Sequence, residues 1–64
     1  MKELDVVKLT KEFSGLPIGT EGTIVHDYDG TMFEVEFFDE EGNTIGVYTI
    51  TGDYIELRWK KLLK

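Results

Sequence analysis

The sequence predicts an all-β protein whose short strands are joined by tight turns. The clearest support is residues 32–38 (MFEVEFF), where Phe33, Val35 and Phe37 alternate with glutamates. Alternation with a period of two places the apolar side chains on one face of a strand and the carboxylates on the other. Other runs are short and rich in β-branched and aromatic residues, and glycine-containing turn signals separate them.

Five strands are expected along the chain, at residues 4–9, 23–26, 32–38, 44–50 and 55–59. The turn signals between the later strands are Asp29-Gly30, Glu41-Gly42-Asn43 and Thr51-Gly52-Asp53, and residues 10–20 form one longer connection. Five short strands are too few for a two-sheet sandwich, whereas a curled sheet buries one face of every strand. The sequence therefore predicts a small five-stranded SH3-like barrel.

The predicted core takes side chains from four of these strands. Its expected members are Ile24, Val35, Phe37, Val47 and Leu57. Gly46, in the middle of the fourth strand, is expected at a sharp bend or β-bulge, because the closure of a small barrel requires one.

The composition is that of one small domain of 64 residues. We expect the barrel domain at residues 1–59 and a basic C-terminal tail at residues 60–64. The chain has no cysteine, which excludes disulfides and thiolate metal sites. Residues 1–12 lack the hydrophobic run of a signal peptide, and no apolar run approaches the roughly 20 residues of a membrane-spanning helix. A cytoplasmic protein with no membrane partner is expected.

The charges are unevenly distributed along this acidic chain of net charge -6. Lysine and arginine occur before residue 12 and after residue 57, whereas eleven carboxylates and neither lysine nor arginine lie from Glu12 to Leu57. Proteins bind nucleic acids largely by neutralising phosphates with lysine and arginine. The sequence therefore predicts no nucleic-acid partner.

The glycine-rich segment at residues 15–30 (GLPIGTEGTIVHDYDG) does not fit a phosphate-binding loop. It has no lysine, and the β-branched run that follows its glycines favours a strand over the helix that such loops precede. The spacing of its glycines also differs from that of a dinucleotide-binding fingerprint. We expect instead a turn, in which Gly19 and Gly22 supply positive φ where the chain enters the second strand.

Three segments together resemble a known family of short bacterial proteins. They are residues 3–9 (ELDVVKL), 16–26 (LPIGTEGTIVH) and 33–37 (FEVEF). The family, domain of unknown function 4926, is frequent in cyanobacteria, and the resemblance extends from Glu3 to about Leu57. It implies a small β-barrel without an assigned activity, so it transfers no catalytic residue to this chain. Residues 58–64 depart from the family pattern.

Candidate catalytic and metal-binding residues are few. His26 has Asp27 beside it and could be oriented as a general base, which would need a nucleophile nearby. The single serine, Ser14, lies in the long loop, so the sequence places no nucleophile near this histidine. A calcium loop starting at Asp27 would need glycine where Met32 stands and glutamate where Phe38 stands. We expect no catalytic site, no cofactor site and no specific metal site. Weak binding of divalent cations by the acidic turns is the alternative.

The candidate partner-binding residues are aromatic or apolar: Tyr28, Tyr48, Tyr54, Trp59, Leu62 and Leu63. Residues 27–29 (DYD) weakly resemble the tyrosine signature of peptide-binding SH3 domains, although half-buried sheet positions explain the three tyrosines equally well. Positions 59, 62 and 63 fall on one side of a short helix. The tail is thus either a plug over one end of the barrel or a docking segment, and docking on a second copy would give a homodimer.

These observations favour a non-catalytic module that binds another protein of unknown identity. Such a module could be an accessory subunit, or the immunity or antitoxin half of a two-gene pair. The alternative is a subunit of a redox or photosynthetic assembly, in which similar small barrels occur, but that interpretation depends on fold analogy. An enzyme is disfavoured because the chain has no nucleophile–base pair, metal-ligand set or cofactor fingerprint.

Overall fold

The computed structural model describes residues 1–59, and within them five antiparallel strands form one sheet. The strands are β1 (Val6–Leu9), β2 (Glu21–Asp27), β3 (Met32–Phe38), β4 (Thr44–Thr51) and β5 (Ile55–Trp59). Their order across the sheet is β4-β3-β2-β1-β5, and a short 3-10 turn, Gly52–Tyr54, joins β4 to β5. The predicted all-β class is confirmed, and the strand order is compatible with an SH3-like barrel.

The strand boundaries agree with the sequence prediction to within two residues. β3 and β5 have the predicted limits, whereas β2 begins at Glu21, two residues early. β1 begins at Val6, later than predicted, because the preceding residues form a turn. In that turn Leu4 has a φ of 74°, and the backbone N–H of Asp5 donates to the carbonyl oxygen of Lys2. A residue with positive φ cannot extend a strand.

The core lies on the inner face of the sheet, under the long loop between β1 and β2. Its buried members are Val7, Leu9, Leu16, Ile24, Phe33, Val35, Phe37, Ile50 and Ile55. The prediction is confirmed for Ile24, Val35 and Phe37, whose side chains are fully buried. These three side chains lie on β2 and β3, two of the three strands that have a neighbouring strand on each side.

Two predicted core positions were wrong. Val47 is 52% exposed, because the inner face of β4 presents Tyr48 and Ile50, which turns Val47 outward. Leu57 is 45% exposed although it lies opposite the buried Val7, since β5 is an edge strand with a neighbour on one side alone in the described sheet. Apolar character in a strand therefore did not suffice to predict which side chains are buried.

The two glycines near the start of β2, Gly19 and Gly22, have different structural roles. Gly19 has a φ of +94°, as predicted for the turn into β2. The same prediction was wrong for Gly22, which lies buried within β2 and is not among the positive-φ glycines. A Cβ there would lie 2.7 Å from the carbonyl oxygen of Glu36 and 2.8 Å from Val35 Cγ1. Gly22 is thus required by the close packing of β2 on β3.

Three register shifts of the β-bulge type bend the sheet, one each in β2, β4 and β5. Between β3 and β4, Phe37 faces Gly46 whereas Phe38 faces Thr44, so Ile45 is the extra residue. The irregularity predicted in this strand is confirmed, one residue before Gly46, which itself pairs with Phe37. In β2, the register shifts between Ile24 and His26 in the same way. In β5, Leu57 faces Val7 whereas Trp59 faces Val6, so Arg58 is the extra residue. A bulge re-aims the side chain of the extra residue, and Ile45 is 42% exposed.

Candidate functional site

A surface groove of about 530 Å³ lies at one end of the central strands. One wall is residues 17–21, at the end of the long loop and the start of β2. The other wall is residues 38–40, where β3 ends, together with Ile45. The walls meet because Glu21 pairs with Phe38 across the β2–β3 register. Residues far apart in the sequence therefore form one site.

The first wall is fixed to the sheet by hydrogen bonds. The backbone N–H and the hydroxyl of Thr20 both donate to the carbonyl oxygen of Pro17, at 3.2 and 2.7 Å. The backbone N–H of Leu9 donates to Thr20, and that of Gly19 donates to Leu9, each at 2.9 Å. The loop is thus tied to β1, and the side chain of Ile18 projects from it with 69% exposure.

The second wall is built around the carboxylate of Asp39. Its Oδ1 accepts the backbone N–H groups of Glu41 and Asn43, both at 2.9 Å. The backbone N–H of Asn43 is the main cause that holds the pKa of Asp39 below its usual value. The turn is completed by Gly42 in the left-handed region, with a φ of +87°. An aspartate that accepts several backbone N–H groups is a local organiser of a turn.

The groove combines apolar and acidic side chains. Ile18, Phe38 and Ile45 are its large apolar members, and Glu21, Asp39 and Glu40 are its carboxylates. Arg58 donates to Glu21 over 3.2 Å and neutralises part of that charge, but no lysine or arginine is among the lining residues within 1–59. Such a surface matches a ligand that carries both apolar and positively charged groups.

Two of the predicted tyrosines meet in a cluster outside the groove. Phe13 contacts Tyr48 and Tyr54 edge to face, with ring centroids 5.9 and 5.5 Å apart, and Lys11 lies over the Tyr54 ring. Tyr48 and Tyr54 are partly buried against the core. Their packing accounts for both side chains, and a partner-binding role for them stays a prediction.

Tyr28 lies apart from that cluster, in the connection after β2. Its ring contacts His26 at 4.6 Å, and its hydroxyl donates to Glu34 Oε1 at 3.3 Å. The negative charge of Glu34 raises the pKa of Tyr28 above its ordinary value. Of the predicted tail residues, Trp59 ends β5, while its side chain and both Leu62 and Leu63 lie outside the described part of the chain.

The remaining sequence candidates occupy turns or the surface. His26 Nδ1 lies 3.4 Å from Glu3 Oε2, and both side chains are about half exposed. Asp27 and Asp29 accept backbone N–H groups of the β2–β3 turn. In residues 1–59 no three histidine, aspartate or glutamate side chains are close enough to hold a metal ion. No helix in that part of the chain is long and apolar enough to cross a membrane.

The groove is not apparent from the sequence. The available signals were weak: an apolar residue, Ile18, between proline and glycine in a loop, and apolar Phe38 and Ile45 on either side of an acidic turn. Neither signal reveals that the two segments are neighbours. That information comes from the pairing of Glu21 with Phe38.

The Asp39 turn gives a testable pH dependence. A carboxyl whose pKa is lower in the folded protein stabilises the fold above its unfolded pKa, about 3.9, and this stabilisation is lost as the pH falls through the folded value. We expect Asp39→Asn to lower the melting temperature at pH 6, and the gap to wild type to close between pH 4 and pH 2. Thermal unfolding across this range measures it. Glu41→Gln, which removes a neighbouring charge but keeps the backbone bonds to Asp39, should show a smaller gap, and a gap independent of pH would contradict the assignment.

The fold and the groove together define a class: a small all-β protein of one antiparallel sheet, with an acidic and apolar groove at one end. Within that class, the model of the family described as "Domain of unknown function (DUF4926)" matches residues 3–57, and the chain belongs to this family. Neither the search of curated proteins nor the search of solved structures found a match.

Proposed function

We propose that this protein is a non-catalytic interaction module whose groove binds a segment of a partner protein. The observation that carries the proposal is the groove itself, which presents exposed Ile18 and Ile45 beside the carboxylates of Glu21, Asp39 and Glu40. Apolar contact with the two isoleucines supplies affinity, and the carboxylates orient a basic segment and exclude acidic ones.

The rigidity of both walls supports this role. The bonds between Thr20 and Pro17 fix one wall, and the bonds to Asp39 fix the other. A preformed site loses less conformational entropy when a ligand binds. The partner segment can therefore be short, with two apolar and two or three basic side chains in contact with the groove.

The same charges disfavour other classes of ligand. Phosphate groups of nucleic acids and of anionic lipid surfaces would be repelled by the acidic groove, so the proposal includes neither as a partner. The module is proposed to act in the cytoplasm as an accessory subunit, or as the immunity or antitoxin half of a two-gene pair. The alternative of a redox or photosynthetic assembly stays a prediction of the sequence, since no contact among residues 1–59 favours it.

The test uses a synthetic peptide of alternating lysine and leucine, with a peptide of alternating glutamate and leucine as the negative probe. Binding is measured by fluorescence polarisation. Glu40→Lys, in the groove, is expected to weaken binding of the basic peptide roughly tenfold. Glu12→Lys makes the same change in net charge at an exposed position outside the groove, and is expected to change the affinity by less than about twofold.

Two results would contradict the proposal. One is an equal loss of affinity in both variants, because binding would then follow net charge alone. The other is the absence of saturable binding of the basic peptide to the wild-type protein. Amide shifts in a nuclear magnetic resonance titration add a map of the contact, and they are expected at Ile18, Glu21 and Ile45.

A further inference from the structure

β5 is an edge strand of the described sheet, where it pairs with β1 alone. An edge strand presents unpaired backbone N–H and C=O groups along one side and is a template for pairing with another chain. Leu57, at the centre of β5, lies opposite the buried Val7 but is itself 45% exposed. The edge therefore carries an apolar side chain that its own sheet covers incompletely.

The residues on either side of Leu57 carry opposite charges. Glu56 lies 3.4 Å from Lys8, and Arg58 lies 3.2 Å from Glu21, so both side chains are on the outer face of the sheet. More than half of each side chain is exposed. Lys8 pairs with Glu21 across the β1–β2 register, and the four charges form a group of alternating sign beside the open edge.

We propose that β5 pairs antiparallel with β5 of a second copy of this chain, about a two-fold axis at Leu57. Residues that face each other in an antiparallel pair lie on the same face of the sheet. An axis at Leu57 therefore places the two Leu57 side chains together on one face. Arg58 is the extra residue where the β1–β5 register shifts, and its contact with Glu21 keeps its side chain on the outer face. The axis therefore also brings Glu56 of each copy near Arg58 of the other on that face, which forms two identical ion pairs.

The charges select this register over its neighbours. An axis at Glu56 would oppose two glutamates, and an axis at Arg58 would oppose two arginines. Like charges directly opposite each other destabilise a strand pair. An axis between two residues would shift the pairing by one residue and place inner-face side chains opposite outer-face ones. The sequence Glu56-Leu57-Arg58 is thus self-complementary for antiparallel pairing in one register.

The proposed pairing lies outside the groove, with one contact between the two surfaces, from Arg58 to the groove carboxylate of Glu21. The groove is lined by residues of β2, β3, β4 and their loops, and no described side chain of β5 lines it. Two-fold pairing also closes the edge, since each β5 is used once and the assembly stops at two copies. The dimer would display two grooves, one from each copy.

Sedimentation equilibrium of the full chain tests the proposal through charge reversal. Glu56→Arg brings an arginine of each copy near Arg58 of the other copy. Arg58→Glu brings a glutamate of each copy near Glu56 of the other copy. Each variant is expected to raise the dimer dissociation constant at least roughly tenfold relative to wild type. Circular dichroism is the control that each variant is folded. If either is unfolded, Leu57→Lys places two ammonium groups together on the axis at an exposed position and is expected to prevent the dimer.

Mixing supplies the decisive comparison. The Glu56→Arg and Arg58→Glu chains complement each other, so an equimolar mixture is expected to form a heterodimer. The double variant with both substitutions restores a self-complementary edge and is expected to dimerise like wild type. Its intrachain pairs with Lys8 and Glu21 remain broken, so recovery cannot come from them.

Three results would overturn the proposal. The first is a wild-type chain that stays monomeric to roughly millimolar concentration. The second is a dimer that neither single variant weakens. The third is single variants that do not recover on mixing. A dimer that is insensitive to the charges of β5 but lost in a full-length Leu62→Ser, Leu63→Ser variant would place the interface on the tail instead.

Discussion

Replacing Val35 with aspartate is expected to leave the protein unfolded at neutral pH and 25 °C. Val35 is fully buried in β3, opposite Ile24 of β2 and Tyr48 of β4, at the centre of the sheet. A carboxylate there would be desolvated without a partner, at a cost of several kcal/mol. The stability of a domain of this size is about 5 kcal/mol. Circular dichroism and thermal unfolding would report the loss of the folded state.

The matched control is the same substitution at Val47, which the structure places on the exposed face of β4. Val47→Asp lies opposite Glu36, and the like charges should cost no more than about 1 kcal/mol. The variant is therefore expected to fold, with a lower melting temperature. Equal unfolding of both variants would mean that β4 has been assigned to the wrong face, and a Val35→Asp chain that melts near wild type would mean the same for β3.

The second large effect is expected from the addition of one methyl group at Gly22. The new Cβ would lie 2.7 Å from the Glu36 carbonyl oxygen and 2.8 Å from Phe37 Cδ1. Because both neighbours belong to the central strand β3, relief requires the two strands to move apart. Overpacking of this kind costs about 3 kcal/mol, and urea unfolding of Gly22→Ala should show a loss of that size. Gly22→Val should not fold.

Gly30→Ala separates packing from backbone strain. Gly30 has a φ of +86°, and no atom lies within 4 Å of the position of a Cβ. Its substitution adds strain alone, at a cost of about 1 kcal/mol. If Gly30→Ala destabilises the protein more than Gly22→Ala, then the close approach of β2 to β3 is not what requires glycine at position 22.

The sequence allowed β3 to be predicted in full because its two faces differ sharply in polarity. Glutamates at 34 and 36 leave one choice of inner face, and Phe33, Val35 and Phe37 are buried as predicted. β4 offered no such contrast, since Ile45 and Val47 on one face compete with Tyr48 and Ile50 on the other. The bulge at Ile45 shifts the alternation of inner-face and outer-face side chains along β4 by one residue. The hydrophobic periodicity of a sequence does not indicate where a bulge occurs.

The groove could not be predicted for a different reason. Each wall is a loop whose own sequence specifies a local turn, through Pro17 and Thr20 in one and Asp39 in the other. What joins them is the long-range pairing of Glu21 with Phe38. The charge distribution did indicate that the surface of this region is acidic. The groove forms because the fold brings its two walls together, and the residue types alone do not indicate this.

The pairing of the first strand with the last also bears on how the chain folds. β2, β3 and β4 follow one another through short turns and pair as neighbours, whereas Leu9 of β1 pairs with Ile55, far along the chain. Closing a long loop costs more entropy than closing a hairpin, so the three-stranded meander should form before β5 docks. During synthesis, β1 is made before β5, yet it can complete its pairing only after β5 has been made.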